Sequence, residues 1–180
     1  LDRLVRSRGA RRDAGGALAE ALIRLGPGFI KFGQALSTRA DLIGPSMAHS
    51  LSLLQDRLPA FHADQARRLI ESETGTPVSE LFKQFDEKAV AAASIAQVHA
   101  AVLADGRRVA VKLLRPGIRR RMQADTTLFY ALARLLEWLA PNMQRLKLVA
   151  AVDQFTQISE IELDLRLEAA AAGKLADNMA

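Results

Sequence analysis

The hydrophobic pattern of this 180-residue chain changes period twice. Apolar residues recur every three to four positions up to about residue 73, then alternate every second position, and return to helical spacing after about residue 118. Asp105-Gly106 lies inside the alternating part and predicts a hairpin turn. We therefore expect a small antiparallel sheet between two sets of helices, which is an α+β fold. The strands are expected at about 82–90, 95–103 and 107–114.

Helical segments are predicted on both sides of this sheet. In the first, which covers residues 15–73, Pro27 favours the start of a new helix because proline is tolerated in a first turn. Two longer helices follow the sheet, at about 118–140 and 148–178. We predict two domains, a helical extension over residues 1–77 and a mixed domain over residues 78–180.

An alanine-rich run precedes a short strand in the alternating part. The run reads Ala91-Ala92-Ala93-Ser94-Ile95-Ala96-Gln97-Val98, and the strand reads Val109-Ala110-Val111-Lys112. Kinase nucleotide loops follow the pattern G-x-G-x-x-G-x-V, and a V-A-I-K strand with a phosphate-binding lysine comes next. Ala91, Ala93 and Ala96 occupy the three glycine positions of this pattern, and Val98 occupies its valine position. The spacing therefore indicates an ATP site with an unusually stiff and bulky loop.

An ordinary alanine-rich helix over residues 89–101 is the alternative for this run. The β-branched residues Val90, Ile95 and Val98 and the adjacent hairpin favour a strand instead. Glycine lets backbone amides close on phosphate at positive φ, and alanine largely forbids that conformation. We therefore expect altered selectivity between nucleotides and suppressed phosphate transfer to a protein hydroxyl.

Lys112 is the residue expected to hold the α- and β-phosphates of ATP. A lone strand lysine is often a solvent-facing edge residue, but its small and β-branched neighbours predict that this one is partly covered. Its ammonium needs a carboxylate to fix it. We favour Glu168, because the small residues around it let its helix approach a sheet closely. The acidic residues on that predicted helix are Glu160, Glu162, Asp164 and Glu168.

Other interpretations of these acidic residues stay open. Glu162 and Arg166 are four residues apart and can form an ordinary surface ion pair on a helix. Asp164 and Glu168 have the same spacing, and two like charges on one helix face are unfavourable unless a cation or metal lies near them.

A second unusual helix carries Lys31-Phe32-Gly33-Gln34. Lys31 and Gln34 project on one face, and Gly33 permits close packing of a neighbour. A solvent-exposed helix that glycine merely weakens is the alternative.

Composition limits the class of partner. The chain has a formal net charge of +5, with arginine clusters at residues 3–12 and 115–121. Such clusters indicate either a solvated surface or attraction to anionic lipid or phosphate. Aromatic residues make up 5% of the chain and are not interleaved with the basic runs, so nucleic acid is not an expected partner. There is no cysteine, the three histidines lack metal-ligand spacing, and no apolar stretch predicts a transmembrane segment or a secretion signal.

Taken together, these residues resemble the UbiB family of atypical kinase-like proteins. The match covers nearly the whole chain, from about residue 24 to residue 178, and its motifs occur in the family's order. The segments that carry it are Leu25 to Arg39 with K-x-G-Q, Leu54-Gln55-Asp56-Arg57 with Pro59, Ala91 to His99, Val109 to Lys112, Arg115-Pro116-Gly117, and Glu162-Leu163-Asp164 with Glu168.

The resemblance implies a protein-kinase-like N-lobe, a small antiparallel sheet with a C-helix, preceded by a helical K-x-G-Q extension. It implies ATP as the cofactor, ATPase activity rather than protein phosphorylation, and support of ubiquinone (coenzyme Q) biosynthesis. It further implies a cytoplasmic location at the periphery of the inner membrane. Partners would be ATP or ADP, with an anionic membrane or other quinone-biosynthesis enzymes as further candidates.

The resemblance also assigns roles to individual residues. The catalytic set would be Lys112, Glu168, Lys31, Gln34, Glu162 and Asp164, with Lys31 and Gln34 reaching toward the nucleotide and the acidic pair. The nucleotide-binding set would be Ala91, Ala92, Ala93, Ser94, Val98, Ala110 and Lys112.

The family's catalytic-loop aspartate, its asparagine and its D-F-G aspartate have no counterpart up to Ala180. We therefore expect an N-terminal extension plus N-lobe without a C-lobe, with Mg²⁺ ligands in the lobe that is missing. Such a chain should hydrolyse ATP negligibly by itself.

Two other functions compete with this interpretation. The first is a non-catalytic regulator of quinone biosynthesis, whose cationic helices dock on a membrane or on partner enzymes. The second is direct hydroxylation of the quinone ring, which the sequence disfavours because it has no flavin fingerprint and no iron-ligand set.

Overall fold

The computed structural model describes residues 14–54, 58–140 and 145–179. The chain forms two compact units that divide between Asp56 and Arg57, and each is described by itself. Two features of the sequence lie outside the described residues, namely the arginine cluster at 3–12 and Gln55-Asp56-Arg57 of the family motif.

The first unit is helical, as predicted. Its helices are α1 (Ala14–Leu25), α2 (Pro27–Ser37), the single turn α3 (Ala40–Ile43) and α4 (Pro45–Ser52). Pro27 and Pro45 each stand at a first helical position, where the missing amide hydrogen costs no hydrogen bond. Helix α4 packs against both α1 and α2, and the buried side chains of Leu22, Leu51 and Leu54 form the core between them.

The second unit is built around a small antiparallel sheet. Its strands are β1 (Phe82–Phe85), β2 (Ala91–Ala92), β3 (Ala96–Leu103) and β4 (Arg108–Leu114). Strand β3 pairs with β4 over its length, from Ala96 opposite Leu114 to Val102 opposite Arg108. Strands β1 and β2 pair with successive parts of β3. The predicted α+β class is confirmed.

The first predicted strand is interrupted. Residues 82–90 were expected to be continuous, but the pairing stops after Phe85 and resumes at Ala91. The segment between them leaves the ladder, although the Asp86 amide still donates to Ala100 O and the Val90 amide to Val98 O. The two pieces therefore act as one edge of the sheet with an irregular middle.

The strands alternate sharply between two faces. On β3, Gln97, His99 and Ala101 are buried, whereas the residues between them are only partly covered. We call the covered side the buried face and the other side, which carries Val98, Ala100, Ala110 and Lys112, the open face. This alternation follows from the two-residue repeat of a pleated strand.

Two helices that precede the sheet cover part of the buried face. Helices α5 (Ala63–Thr74) and α6 (Val78–Leu81) contribute Ala66, Ile70 and Val78 to a core cluster with Leu113 of β4. Helix α5 thus packs with the sheet, which is why the compact second unit begins at Arg57 and not after residue 77, where the domain boundary was predicted.

Helices α7 (Ile118–Leu139), α8 (Leu148–Leu163) and α9 (Leu165–Met179) follow the sheet. Helix α7 packs against α8, with the rings of Phe129 and Phe155 in an edge-on contact at 5.8 Å between centroids. The prediction of one helix over 148–178 is wrong, because Asp164 has a non-helical backbone conformation (φ −95°, ψ 84°) and separates α8 from α9. None of the helices in the described part of the chain is both long and apolar enough to cross a membrane.

Candidate functional site

The open face of the sheet carries a shallow apolar groove. The groove has a volume of about 410 Å³. Val98 and Ala110 line it, together with Val90 from the sheet edge. Val98 lies opposite Lys112 in the ladder, and Ala100 lies opposite Ala110, so these four side chains share one surface. An apolar surface with a cation beside it suits a purine base followed by phosphates.

Lys112 meets Glu168 at this surface. The Lys112 ammonium donates a hydrogen bond to the Glu168 carboxylate and forms an ion pair with it. The pairing predicted from sequence is therefore present, across two elements that lie far apart along the chain. Both side chains are only partly covered, with 36% of the Lys112 side chain and 59% of the Glu168 side chain exposed. The ion pair thus stays open to an incoming anion.

The break at Asp164 sets the position of Glu168. The Asp164 side chain accepts a hydrogen bond from the Arg166 amide at 3.2 Å, which satisfies a free donor at the start of α9. Glu168 then lies in the first turn of this new helix, where a negative charge is favoured. Asp164 and Glu168 do not share the face of one continuous helix, as the sequence analysis assumed.

Arg166 also binds the Asp164 side chain. Its Nε and Nη2 atoms donate to the two carboxylate oxygens at 2.8 Å each. These hydrogen bonds lower the pKa of Asp164 from 3.8 to about 2, with a further contribution from the charge of Arg119. Arg119 donates to the carbonyl of Leu163, the last residue of α8. Arginines thus hold both sides of the α8–α9 junction.

The alanine-rich run forms a tight turn between β2 and β3. Ala91 pairs with Val98 and Ala92 with Gln97, and the Ala93 amide donates to Ala96 O at 2.8 Å. No non-glycine residue in this run has a positive φ; among the described residues Lys147 alone does. Alanine can therefore close this turn without the left-handed conformation that glycine would allow. Ser94 is completely buried, so a nucleotide can reach it only if the turn opens.

A hydrogen-bond network crosses the buried face directly beneath the groove. Gln97 Oε1 accepts from the Phe61 amide at 2.9 Å, while Gln97 Nε2 donates to Phe61 O at 3.3 Å and to His99 Nε2 at 2.8 Å. His99 Nδ1 lies 2.8 Å from Asp86 O, so this nitrogen carries the hydrogen and Nε2 accepts. The Phe85 ring stacks on His99 at 4.9 Å. Sequence reasoning missed this network, because Gln97 and His99 are polar and the alternation along β3 would place them toward solvent.

Arg115 was also missed as an individual residue. It was grouped with a cationic cluster expected to be solvated or to attract anionic lipid, but its guanidinium turns inward and donates to Ala93 O from both Nε (3.0 Å) and Nη2 (2.9 Å). The chain then makes a tight turn in which the Ile118 amide donates to Arg115 O at 3.0 Å. Gly117, with φ of 70°, occupies the position where this turn needs a left-handed residue. The signal for this geometry was the Arg-Pro-Gly sequence itself.

The K-x-G-Q residues lie on α2 of the helical unit. A Cβ added to Gly33 would lie 2.6 Å from a methyl carbon of Leu22 and 2.6 Å from one of Leu54, so the glycine permits close packing, as predicted. Gln34 Nε2 donates to Leu54 O at 3.4 Å within the same unit. The roles of Lys31 and Gln34 toward a nucleotide, and that of Glu162, stay predictions.

The open face fits ATP in the residues that it presents. Lys112 would hold the phosphates, since Glu168 already orients its ammonium, and the groove with Val98 and Ala110 would take the base. These residues do not offer a binding site for Mg²⁺. Residues 14–54, 58–140 and 145–179 contain no cluster of three or more histidine or acidic side chains able to hold a metal. The expectation that these ligands lie elsewhere stays a prediction.

Comparisons with known proteins agree with this geometry. A family model described as the ABC1 atypical kinase-like domain matches residues 53–180. A protein from Marinobacter nauticus named "Probable protein kinase UbiB" is 49% identical over 164 residues, which cover 91% of this chain and 30% of that protein. A protein of the same name from Vibrio cholerae is 45% identical over 175 residues, 97% of this chain and 32% of that protein. The chain therefore spans about a third of the length of these relatives.

A solved structure agrees as well. The chain matches a structure described as the complex of Rv3197 with erythromycin from Mycobacterium tuberculosis, with a TM-score of 0.51 and 37% identity over 77% of this chain and 35% of that one. The family resemblance and the kinase-like fold predicted from sequence are confirmed. The chain belongs to the family of ABC1 atypical kinase-like proteins.

Proposed function

We propose that this chain supplies the nucleotide-binding face of an ATP-dependent, kinase-like protein that supports ubiquinone biosynthesis. The observation that carries the proposal is the Lys112–Glu168 ion pair beside an apolar groove on one face of the sheet. A lysine fixed by a helical carboxylate in this way is the arrangement that kinase-like proteins use to hold the α- and β-phosphates. Membership of the ABC1 family and the UbiB-named relatives support the same assignment.

The residues of the open face would act by binding and orientation. ATP supplies the transferable phosphoryl group when it is bound. Lys112 neutralises phosphate charge, and Glu168 keeps its ammonium in place while leaving it partly exposed. The alanine turn holds its backbone without left-handed residues, so its amides offer fewer phosphate contacts than a glycine loop. We therefore favour hydrolysis of ATP over transfer to a protein hydroxyl.

Equilibrium titration of the full-length protein with ATP tests this proposal. Lys112→Ala should weaken binding by about a hundredfold, because a cation that contacts phosphate directly is lost. Lys83→Ala is the matched control, since Lys83 is an exposed lysine on β1 of the same sheet. Equal affinity of wild type and Lys112→Ala would refute the nucleotide site.

The role in ubiquinone biosynthesis needs a cellular test. In a bacterium whose UbiB-like gene has been deleted, the full-length protein should restore ubiquinone content measured by liquid chromatography. The Lys112→Ala variant should not restore it, whereas Lys83→Ala should. Full restoration by Lys112→Ala would separate the cellular role from nucleotide binding.

Docking on an anionic membrane is a second candidate function, and the surface of α7 favours it. This helix has an arginine-rich first turn and exposes a stripe of leucines along its C-terminal half. Sedimentation with vesicles of anionic phospholipid, against vesicles of phosphatidylcholine alone, tests it: Leu132→Ser with Leu135→Ser should abolish sedimentation and leave ATP affinity unchanged. The exposed members of the stripe are Leu128, Leu132, Leu135, Leu136 and Leu139.

A further inference from the structure

Arg115 binds the alanine turn on both of its sides. Its guanidinium donates to Ala93 O from Nε and Nη2, at 3.0 and 2.9 Å. Its own backbone amide donates to Ile95 O at 2.8 Å. The carbonyls on either side of Ser94 therefore both accept hydrogen bonds from one residue. Hydrogen bonds from a charged donor are about twice as strong as neutral ones, so this residue is a strong anchor for the turn.

The same guanidinium also holds the segment that leads into α5. Its Nη2 donates to Pro59 O at 2.9 Å and to Leu58 O at 3.3 Å, and it lies 6.0 Å from the centroid of the Phe61 ring. Gln97 holds the next part of this segment through the backbone of Phe61. Arg115 therefore joins this segment to the alanine turn, and Gln97 joins it to strand β3 on the buried face.

The alanine turn depends on such an anchor for a physical reason. A glycine loop adapts to phosphate by changing its backbone conformation, whereas alanine has few alternative conformations available. The position of an alanine turn is then set by what holds its carbonyls. Arginine suits this task, because its planar fork reaches several acceptors at once and stays charged.

We propose that Arg115 is the positioning residue of the nucleotide site, holding the alanine turn in a fixed relation to the Leu58–Phe61 segment on the buried side of the sheet. Its side chain does not touch the nucleotide; it acts through Ala93. The expected effect on ATP affinity rests on the proposed function, whereas the anchoring of the turn by Arg115 does not. Removal of the guanidinium should loosen the turn first and weaken ATP binding as a result.

Two measurements on the full-length protein test this separately. The first is amide hydrogen exchange of peptides covering residues 90–97, without nucleotide: Arg115→Ala should raise exchange there by about tenfold or more, because the local opening free energy falls. The second is calorimetric titration with ATP, in which the same variant should bind about tenfold more weakly, as expected when a charge-assisted hydrogen bond that positions a loop is lost.

Arg120→Ala is the matched control, an exposed arginine of the same basic run on the first turn of α7, and it should change neither measurement. Arg115→Lys should recover part of the exchange protection, because an ammonium can reach Ala93 O but cannot span all three carbonyls. A thermal melt of each variant identifies global destabilisation. If Arg115→Ala raised exchange uniformly over the sheet, the residue would be structural and the proposal would be overturned.

The remaining outcomes are also decisive. Unchanged exchange over residues 90–97 in Arg115→Ala overturns the anchor itself. Raised exchange with unchanged ATP affinity overturns the link between the anchor and the nucleotide. A wild-type protein that binds no ATP refutes the proposed function, while the exchange result still decides whether Arg115 holds the turn.

Discussion

The two faces of the sheet are held by different kinds of interaction. The open face presents small apolar side chains and one partly exposed ion pair, Lys112–Glu168. The buried face carries Gln97 and His99, each 1% exposed, with their polar atoms hydrogen-bonded to each other and to backbone groups. Removal of a buried hydrogen-bonding partner leaves another polar atom unsatisfied, whereas an exposed group is solvated by water.

This difference separates residues that should matter for binding from residues that should matter for folding. Alternate positions along β3 and β4 point to opposite faces, so neighbours in sequence belong to different classes. Substitutions on the open face should change nucleotide affinity with little change in stability, and those on the buried face should do the reverse. A substitution on one face that produced the effect expected of the other face would contradict this separation.

The largest effect is expected from Gln97→Ala on the buried face. The substitution removes three hydrogen bonds and leaves the Phe61 backbone and His99 Nε2 without that partner. The free energy of unfolding, measured with urea and circular dichroism, should fall by about 2–4 kcal/mol. Gln84→Ala on β1 is the control, since Gln84 is exposed, and it should stay within about 0.5 kcal/mol of wild type. A loss for Gln97→Ala as small as that of the control would contradict the distinction.

The next effect is expected from Ala110→Leu on the open face. A larger side chain at Ala110 occupies the groove beside Val98, so ATP affinity should fall by at least about tenfold, or 1.4 kcal/mol. Ala104→Leu adds the same side chain in the β3–β4 turn, outside the groove, and should bind ATP normally. Calorimetric titration measures both. Unaltered affinity in Ala110→Leu would mean that the base lies elsewhere.

A smaller effect is expected from Glu168→Gln. The variant keeps a hydrogen-bond acceptor for Lys112 but removes the charge, and ATP affinity should fall by about threefold to tenfold. Stability should change by no more than about 0.5 kcal/mol, because both side chains of the pair are partly exposed. Glu160→Gln, an exposed glutamate on α8, is the matched control. A large loss of stability in Glu168→Gln would show that the pair belongs to the structural class.

The smallest effect concerns pH at the start of α9. The pKa of Asp164 is lowered to about 2 by its hydrogen bonds from Arg166. A carboxylate with a depressed folded-state pKa stabilises the fold above its unfolded pKa, and this contribution is lost as the pH falls from about 4 toward 2. Titration of the Asp164 carboxyl by NMR should give a midpoint near 2 in wild type. In Arg166→Ala the midpoint should return toward 3.8, and an unchanged midpoint would assign the shift to another group.

Much of the fold follows from local pattern. The change of hydrophobic period predicted where helices give way to strands, and the Asp105-Gly106 turn predicted the β3–β4 hairpin. The partner of Lys112 was also predicted, because small residues around Glu168 marked a helix able to approach a sheet. The broken strand at residues 86–90 and the break at Asp164 were not predicted. Both depend on capping and hydrogen bonds that hydrophobic periodicity does not report.

Local sequence pattern specifies which residues of a strand share one face of the sheet, since pleated strands alternate whatever packs on them. It also determined the packing role of Gly33, because only glycine allows so close an approach. The roles of Gln97, His99 and Arg115, by contrast, depend on contacts that form only in the folded unit. Their side chains are long, or can both donate and accept hydrogen bonds, and they bind carbonyls of residues distant in the chain, such as Phe61 and Pro59. Those carbonyls come within reach only once the whole unit has folded, so no local sequence pattern could specify these hydrogen bonds.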